Sequence, residues 1–485
     1  MEISVIGAGY VGLTTAACLA HIGHDVVCAD IDASRLEMLR AGRMPFYELH
    51  LDAVVAGAVA AGRLRFAAPA EAIARGAAFM ICVGTPAMTN GEADLSAIES
   101  VAREIARRAE GYRLIIEKST VPVQTAQRLR RHLDIYSRSG LDHDVVSNPE
   151  FLREGSAVED FFHPDRIVVG AESERARRLM AEIYRPVLEQ RFICPVHANC
   201  PHSAKPALIA TDANSAELIK HAANSFLAMK ISFINMVSDL CEAAGANVDS
   251  VVAGLGGDRR IGRAFLRPGI GFGGFCFPKD LQAFVHIAET FGCDFSLLKQ
   301  VEAINVARVG RFVAKVRDEL WTLGGKKIAV WGLAFKPDTD DVRFAPAMAI
   351  VRQLLAEGAE IHAYDPQAMD KARRELPEIH CHADAYAAAE DAEAALLLTE
   401  WDEFQHLDWA RIAAAMTRPL VFDGRNALSR EALSAHGIQH VGIGNGAGAA
   451  PPRARAEAAA PLQPVLRGRR GTARACVSGG RSEAL

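Results

Sequence analysis

Residues 3–30 read ISVIGAGYVGLTTAACLAHIGHDVVCAD, and the reading of this stretch decides the fold. A short apolar run, ISVI, stops at GAGYVG (Gly7 to Gly12). LTTAACLAHIG then continues with helical spacing, and a second apolar run, DVVCAD, ends at Asp30. A strand, a glycine turn, a helix and a second strand, with an acid 18 residues past Gly12, make up the fingerprint of a dinucleotide-binding unit. Each glycine has a mechanical reason: Gly7 permits the tight turn, Gly9 lets backbone approach a pyrophosphate, and Gly12 allows close packing of helix on strand. The helix N-terminus then faces the phosphates. Asp30 is positioned to accept ribose hydroxyls, which selects NAD over NADP, while Arg35 nearby is a side chain able to accommodate a 2′-phosphate.

Outward from this unit, strand candidates recur at FMICVGTP (79–86), RLIIEKSTVP (113–122), DVVSNPEF (144–151) and RIVVGA (166–171), with helical patterns between them. The alternation predicts a doubly wound parallel sheet up to about residue 200. From TDANSAELIK the period becomes helical for more than thirty residues, with Asn or Ser available as a cap. A helix of that length with apolar residues on several sides joins domains or packs on a partner subunit. After a glycine-rich segment (254–274) and more helix to about 320, KKIAVWGLAFKPDTDD starts a second strand, turn, helix, strand unit. Its first turn lacks the glycine triplet, so no second dinucleotide is expected there. The fold expected is α/β, with two Rossmann-like doubly wound domains joined by a long central helix: 1–205, 206–320 and 321–445. Residues 446–485, rich in Ala, Pro, Gly and Arg, form a basic tail that cannot bury a core and is expected to be disordered.

Across 485 residues the formal charge is −5 and half the residues are apolar, which gives no general attraction for nucleic acid. No uninterrupted apolar run is long enough to span a membrane, and the N-terminus lacks the basic leader of a signal peptide. The expected setting is the cytoplasm, where most of the ten cysteines stay reduced.

Chemistry concentrates at GIGFGGFCFPKD (269–280). Glycines clear space around Cys276, and Lys279, three positions on, offers a route to a lowered thiol pKa. A thiol beside an NAD site suggests oxidation beyond an aldehyde, through a thiohemiacetal to a thioester. Lys220 and Asn224 share one face of the long helix and together suit a developing oxyanion. Glu150 and Glu154, in NPEFLREGSA, admit two readings each, a helix N-terminal acid or a general base. Cys194, His197, Cys200 and His202 in CPVHANCPHSA are soft-metal ligand types, but their spacing matches no common zinc pattern, and no metal is expected.

Taken in order, GAGYVG, CVGTP, EKSTVP, NPEFLREGSAVEDFFHPDRIVVG, SAELIKHAANSFLAMKISFIN, GIGFGGFCFPKD, GLAFKPDTDDVR and DGRN resemble the UDP-glucose/GDP-mannose dehydrogenase family, on its UDP-glucose side, over about residues 1–440. The resemblance implies four-electron oxidation of UDP-glucose to UDP-glucuronate with two NAD reduced in turn, in the supply of polysaccharide precursors. It implies Cys276 as nucleophile, Lys220 and Asn224 at the oxyanion, and Asp280, Thr120 and Glu154 managing a water and its protons. Val11, Asp30, Arg35, Thr85, Thr120, Glu154, Lys279 and Arg343 would contact NAD. Glu150, Phe151, Leu152, Arg153, Glu154, Phe265, Leu266, Arg267, Pro268 and Gly269 would line the sugar nucleotide, with Gly273 near the sugar and Lys336 reaching across from the second domain. Arg260 resembles an arginine sent into a neighbouring subunit, so a homodimer through the long helix is implied. Phe275 stands where serine is common, Phe344 where glutamate is usual after Arg343, and Met236 where many relatives carry glutamate. The same chemistry on GDP-mannose or a UDP-N-acetylhexosamine, a two-electron hydroxyacid dehydrogenase, and a silent NAD-binding protein are the competing readings.

Overall fold

The computed structural model describes residues 1–86, 88, 91–137, 141–202 and 204–445; the expectation for the tail lies outside them. The opening stretch folds as read, with β1 (Glu2–Ile6), the helix Tyr10–His21 and β2 (Asp25–Ala29) in sequence. The first sheet is completed by β3 (Leu64–Ala67), β4 (Ala78–Ile81), β5 (Gly111–Glu117), β6 (Leu141–Ser147), β7 (Arg166–Ala171) and β8 (Ala207–Thr211). Their spatial order is β3-β2-β1-β4-β5-β6-β7-β8. Pairing is parallel throughout except where β7 runs antiparallel to β6. The wholly parallel sheet expected from alternation is therefore corrected at that edge. Only Val146 and Ser147 pair across the reversal, so a short antiparallel contact suffices to carry β7 and β8. β3 and β8 escaped the sequence reading, and β8 extends the sheet past residue 205. Both are short: β3 is interrupted by Arg65, and β8, although apolar at ALIA, is exposed along most of its length and comes after the 190–202 loop rather than an alternating unit.

The second sheet is parallel, in the order β11-β10-β9-β12-β13-β14, from β9 (Lys327–Trp331), β10 (Glu360–Tyr364), β11 (His380–Cys381), β12 (Ala394–Leu397), β13 (Leu420–Asp423) and β14 (Gln439–Val441). Its central strand β12 is buried along its length, AALL, as expected for a strand covered by helices on both faces.

Between the sheets runs the helix Ala213–Ala244, 32 residues long. Its cap is Asp212, whose side chain accepts from the Ser215 N–H, in place of the Asn or Ser expected. It ends at Gly245 in the left-handed region. One face buries polar residues: Glu217, Lys220, His221 and Asn224. Glu217 accepts from the backbone N–H groups of Gln124 and Ala126, where the helix Thr125–Tyr136 begins, and His221 Nε2 lies 2.8 Å from the Val121 carbonyl. These contacts fix the rotation of the long helix and turn Lys220 and Asn224 toward the second sheet's side of the molecule. A further helix, Val248–Gly256, precedes and runs into the glycine-rich segment, and the helices Cys276–Thr290 and Ser296–Leu320 carry the chain to β9.

Candidate active site

At the first turn, a Cβ on Gly12 would stand 1.7 Å from the Gly7 carbonyl oxygen, and one on Gly7, whose φ is +105°, would meet the Cys82 carbonyl at 2.4 Å. Any side chain at either position would push the turn off the sheet. A Cβ on Gly9 would meet nothing within 4 Å, and Gly9, as cap of the first helix, contributes no side chain to its N–H groups. The cradle is open where a pyrophosphate needs it. Asp30 closes its far side: its carboxylate accepts from the Ala8 N–H at 2.8 Å and pairs with Arg35 Nη1 at 2.9 Å. Arg35 is thus engaged with the very acid that suits ribose hydroxyls. Thr85 donates its hydroxyl to the Thr120 carbonyl at 2.8 Å, which brings CVGTP and EKSTVP together at the ends of β4 and β5. Val11 packs half-buried on the first core. These residues fit a dinucleotide.

A cavity of about 960 Å³ lies between the 148–154 loop, the long helix, the 264–277 segment and the second sheet. Cys276, the first residue of its helix, faces it together with Lys220, Asn224, Glu150, Glu154 and Lys336. Phe151, Leu152, Arg153, Phe265, Arg267, Pro268, Gly269 and Gly273 also line it, as the sequence led us to expect. A Cβ on Gly273 would stand 2.3 Å from the Phe344 carbonyl, so this glycine sets how closely the second half approaches the thiol. Leu266, expected at the sugar nucleotide, is instead buried in a small cluster with Ile234 and Val252, and Thr120, expected at the catalytic water, is not among the residues lining the cavity and meets Thr85 instead. Arg260, expected to reach a neighbouring subunit, is at the surface, paired with Asp258 at 2.6 Å.

The charges around the thiol also differ from expectation. Lys279 was read as the cation that lowers Cys276, but its Nζ is paired with Asp280 at 2.7 Å. The lysine acting on the thiol is Lys220. Its help is outweighed: burial, with Glu150, Asp280 and Glu154, pushes the thiol up to about 12. Lys220 donates to Glu150 Oε1 at 2.9 Å. Burial presses its pKa down, yet Glu150 and Asp280 more than compensate and hold it above the usual lysine value. Asn224 Nδ2 donates to Asp280 Oδ2 at 2.6 Å, so buried Asp280 meets the cavity through Asn224.

The two glutamates left equivalent by the sequence separate here. Glu150 is tied to Lys220 and to the Leu152 N–H, whereas Glu154 is pushed up to about 7 by burial and by Asp341, against Arg343 and Lys336. Arg343 Nη2 approaches Glu154 at 3.8 Å and Asp341 at 2.6 Å, and its guanidinium sits 4.6 Å from the centre of the Phe275 ring. Asp341 and Phe275 therefore hold Arg343 despite Phe344 in the usual acid position.

Sequence reasoning missed Arg425, Glu400 and Glu48. Arg425, the arginine of DGRN after β13, is buried at the cavity wall, where it donates to the carbonyls of Leu398, Gly271 and Phe335 and pairs with Glu400. Glu48 accepts from the N–H groups of Gly155 and Ala157 and from the Tyr10 hydroxyl, which pins the 150–157 loop to the dinucleotide helix. The only sequence signal was a charged residue following a buried strand, in Arg425's case.

A dinucleotide turn on one sheet, with a half-buried thiol and two lysines in a cleft closed by a second sheet, defines an NAD-dependent dehydrogenase. Comparison with known proteins narrows this. The NAD-binding, central and UDP-binding domains of the UDP-glucose/GDP-mannose dehydrogenase family match residues 1–188, 214–307 and 329–430. A UDP-glucose 6-dehydrogenase of Rhizobium meliloti (strain 1021) is 43% identical over 92% of this chain and 99% of its own. The solved UDP-glucose dehydrogenase of Pyrobaculum islandicum superposes with a TM-score of 0.81 at 37% identity, covering 91% of this chain and 97% of its own. A UDP-D-ManNAc dehydrogenase from Pyrococcus horikoshii gives 0.78 at 27%, covering 92% and 100%. The chain belongs to the UDP-glucose/GDP-mannose dehydrogenase family.

Proposed function

We propose that the protein oxidises UDP-glucose to UDP-glucuronate, with Cys276 as the nucleophile that carries the sugar between two oxidations. The observation behind this reading is that Cys276, Lys220, Asn224 and Glu154 face one cavity together with Lys336 from the second sheet. NAD, when bound, accepts a hydride from the sugar C6 in each of the two oxidations. The Lys220 ammonium and the Asn224 amide hold the C6 oxygen as its proton leaves. The Cys276 S–H then adds across the aldehyde, sulfur to carbon and proton to oxygen, giving a thiohemiacetal. Loss of a second hydride and the hydroxyl proton leaves a thioester. Water adds to its carbonyl, Glu154 takes a proton, the C–S bond breaks, and the thiol is restored as the carboxylate departs. Arg153, Arg267 and Lys336 supply positive charge for the diphosphate, and Thr120 and Asp280 position the water and Asn224.

The deciding experiment is NADH formed per limiting UDP-glucose with excess NAD. Two are expected; one would leave a simple alcohol dehydrogenase, and none would direct the search to GDP-mannose or UDP-N-acetylhexosamines.

Glu154 gives a pH prediction. As a base it must be ionised, and burial sets its ionisation near pH 7, so turnover is expected to rise with pH through that region. Glu154→Gln is expected to cost about 10²-fold in kcat and to abolish that rising limb. A variant that keeps the limb would remove Glu154 from the role of base.

The homodimer is part of the same reading. Phe226, Phe233 and Leu240 recur at seven-residue steps on the long helix and are 57%, 47% and 67% exposed, an apolar stripe suited to a second copy. Phe233→Asp is expected to convert a dimer to a monomer in light scattering, and an unchanged mass would place the interface elsewhere. The free cysteines among the described residues fit the reducing cytoplasm.

A further inference from the structure

The chain between the helix Glu174–Glu189 and β8 passes through CPVHANCPH (194–202), and here the structure gathers groups that the dehydrogenase reading does not use. Cys194, His197 and Cys200 meet His163, which follows the helix Ala157–Phe162. The four offer one ligand atom each, all within 4.8 Å of one another. His163 Nε2 lies 3.3 Å from both Cys194 Sγ and Cys200 Sγ, and Cys194 Sγ lies 3.7 Å from His197 Nδ1. A tetrahedron with Zn–S of about 2.3 Å and Zn–N of about 2.1 Å has sulfur-to-nitrogen edges of about 3.6 Å. The side chains already stand near those edge lengths.

The outer contacts point the same way. His163 Nδ1 lies 2.9 Å from Gln190 Oε1, so that nitrogen donates outward and Nε2 presents its lone pair to the sulfurs. His197 Nε2 faces Glu159 at 3.7 Å while its Nδ1 faces Cys194. A carboxylate or amide oxygen on the far nitrogen is the arrangement that orients metal-bound imidazoles. His202 also bonds Glu159, at 3.3 Å, and stacks on His163 with ring centres 4.4 Å apart.

We propose that His163, Cys194, His197 and Cys200 bind a structural zinc ion. Two thiolates and two imidazoles in a closed set of four favour zinc and leave no position for a substrate. The expectation of no metal rested on spacing within nine residues of sequence. It missed His163, which arrives from 31 residues before Cys194, and it counted His202, which packs outside the set. Because His163, Pro164 and Arg166 line the catalytic cavity, the ion would tie the 190–202 loop to that wall.

The test uses the full chain purified without chelator. Elemental analysis is expected to find about one zinc per chain, and cobalt(II) added to the chelator-stripped protein is expected to give the visible bands of a tetrahedral thiolate site. Cys194→Ser/Cys200→Ser should lose both signals, and so should the milder Cys200→Ser at limiting metal, with circular dichroism as the check on folding. Glu159→Gln should weaken zinc about tenfold through His197, and Cys293→Ser, at an exposed cysteine elsewhere, should keep the full complement. Absence of zinc and cobalt bands in a folded chain with reduced thiols would overturn the proposal. A Cys194–Cys200 disulfide found in the peptide map of freshly purified protein would overturn it equally.

Discussion

Cys276→Ala is expected to lower steady-state oxidation of UDP-glucose on the order of 10⁶-fold, the scale on which removal of a nucleophile is felt, while leaving UDP-glucose binding within a few-fold of wild type. The asymmetry follows from where Cys276 sits. The charges proposed to bind the diphosphate belong to other residues lining the same cavity, Arg153, Arg267 and Lys336, and an alanine at the first position of a helix costs little. Chemistry past the aldehyde has no second thiol to use among the described residues, since no other cysteine lines the cavity and Cys82 is buried beside the dinucleotide turn. The resting Cys276 is also held as a thiol, by burial and three carboxylates. Alkylation of the peptide bearing Cys276, followed by mass spectrometry, should therefore be slow at pH 7 and should accelerate steeply with pH. Equilibrium binding separates loss of chemistry from loss of substrate. Cys276→Ser turning over at the wild-type rate would sink the proposed covalent route.

How much of this was legible in the sequence depended on the range of the interaction. The first turn was read because most of its constraints lie within residues 3–30: a Cβ on Gly12 would collide with the Gly7 carbonyl, a local clash, while the Cys82 carbonyl that bars a side chain at Gly7 comes from a distant strand end. Cys276 and the Lys220 and Asn224 pair were legible as residue types at telling spacing, yet not which partner each would find. Lys279 was credited with acting on the thiol because it is three residues away. On the helix that starts at Cys276 it instead meets Asp280, and the effective cation comes from 56 residues upstream. Glu150 and Glu154 are alike in sequence and differ only through Lys220 on one side and Asp341 on the other. Arg425 was invisible as a site residue because its work is done on carbonyls of distant segments.

Lys220→Met is expected to lose about 10²- to 10³-fold in kcat and, separately, about 3 kcal/mol of stability. The two losses have different causes and can be pulled apart. Lys220 and Glu150 are each 5% exposed and are joined at 2.9 Å. Removing the cation leaves a buried carboxylate whose remaining hydrogen bond among the described residues is to the Leu152 N–H, and a buried charge without its counter-charge costs far more than the intact pair contributes. Denaturant melts of the variant against wild type would show the deficit. In the double variant Lys220→Met/Glu150→Gln the amide still accepts from Leu152 and carries no charge, so most of the lost stability should return. Activity should not return, because no ammonium then faces Cys276 or the developing oxyanion. Recovery of both would make Lys220 a structural counter-ion only. Recovery of neither would mean that the lost stability does not come from an unpaired charge on Glu150.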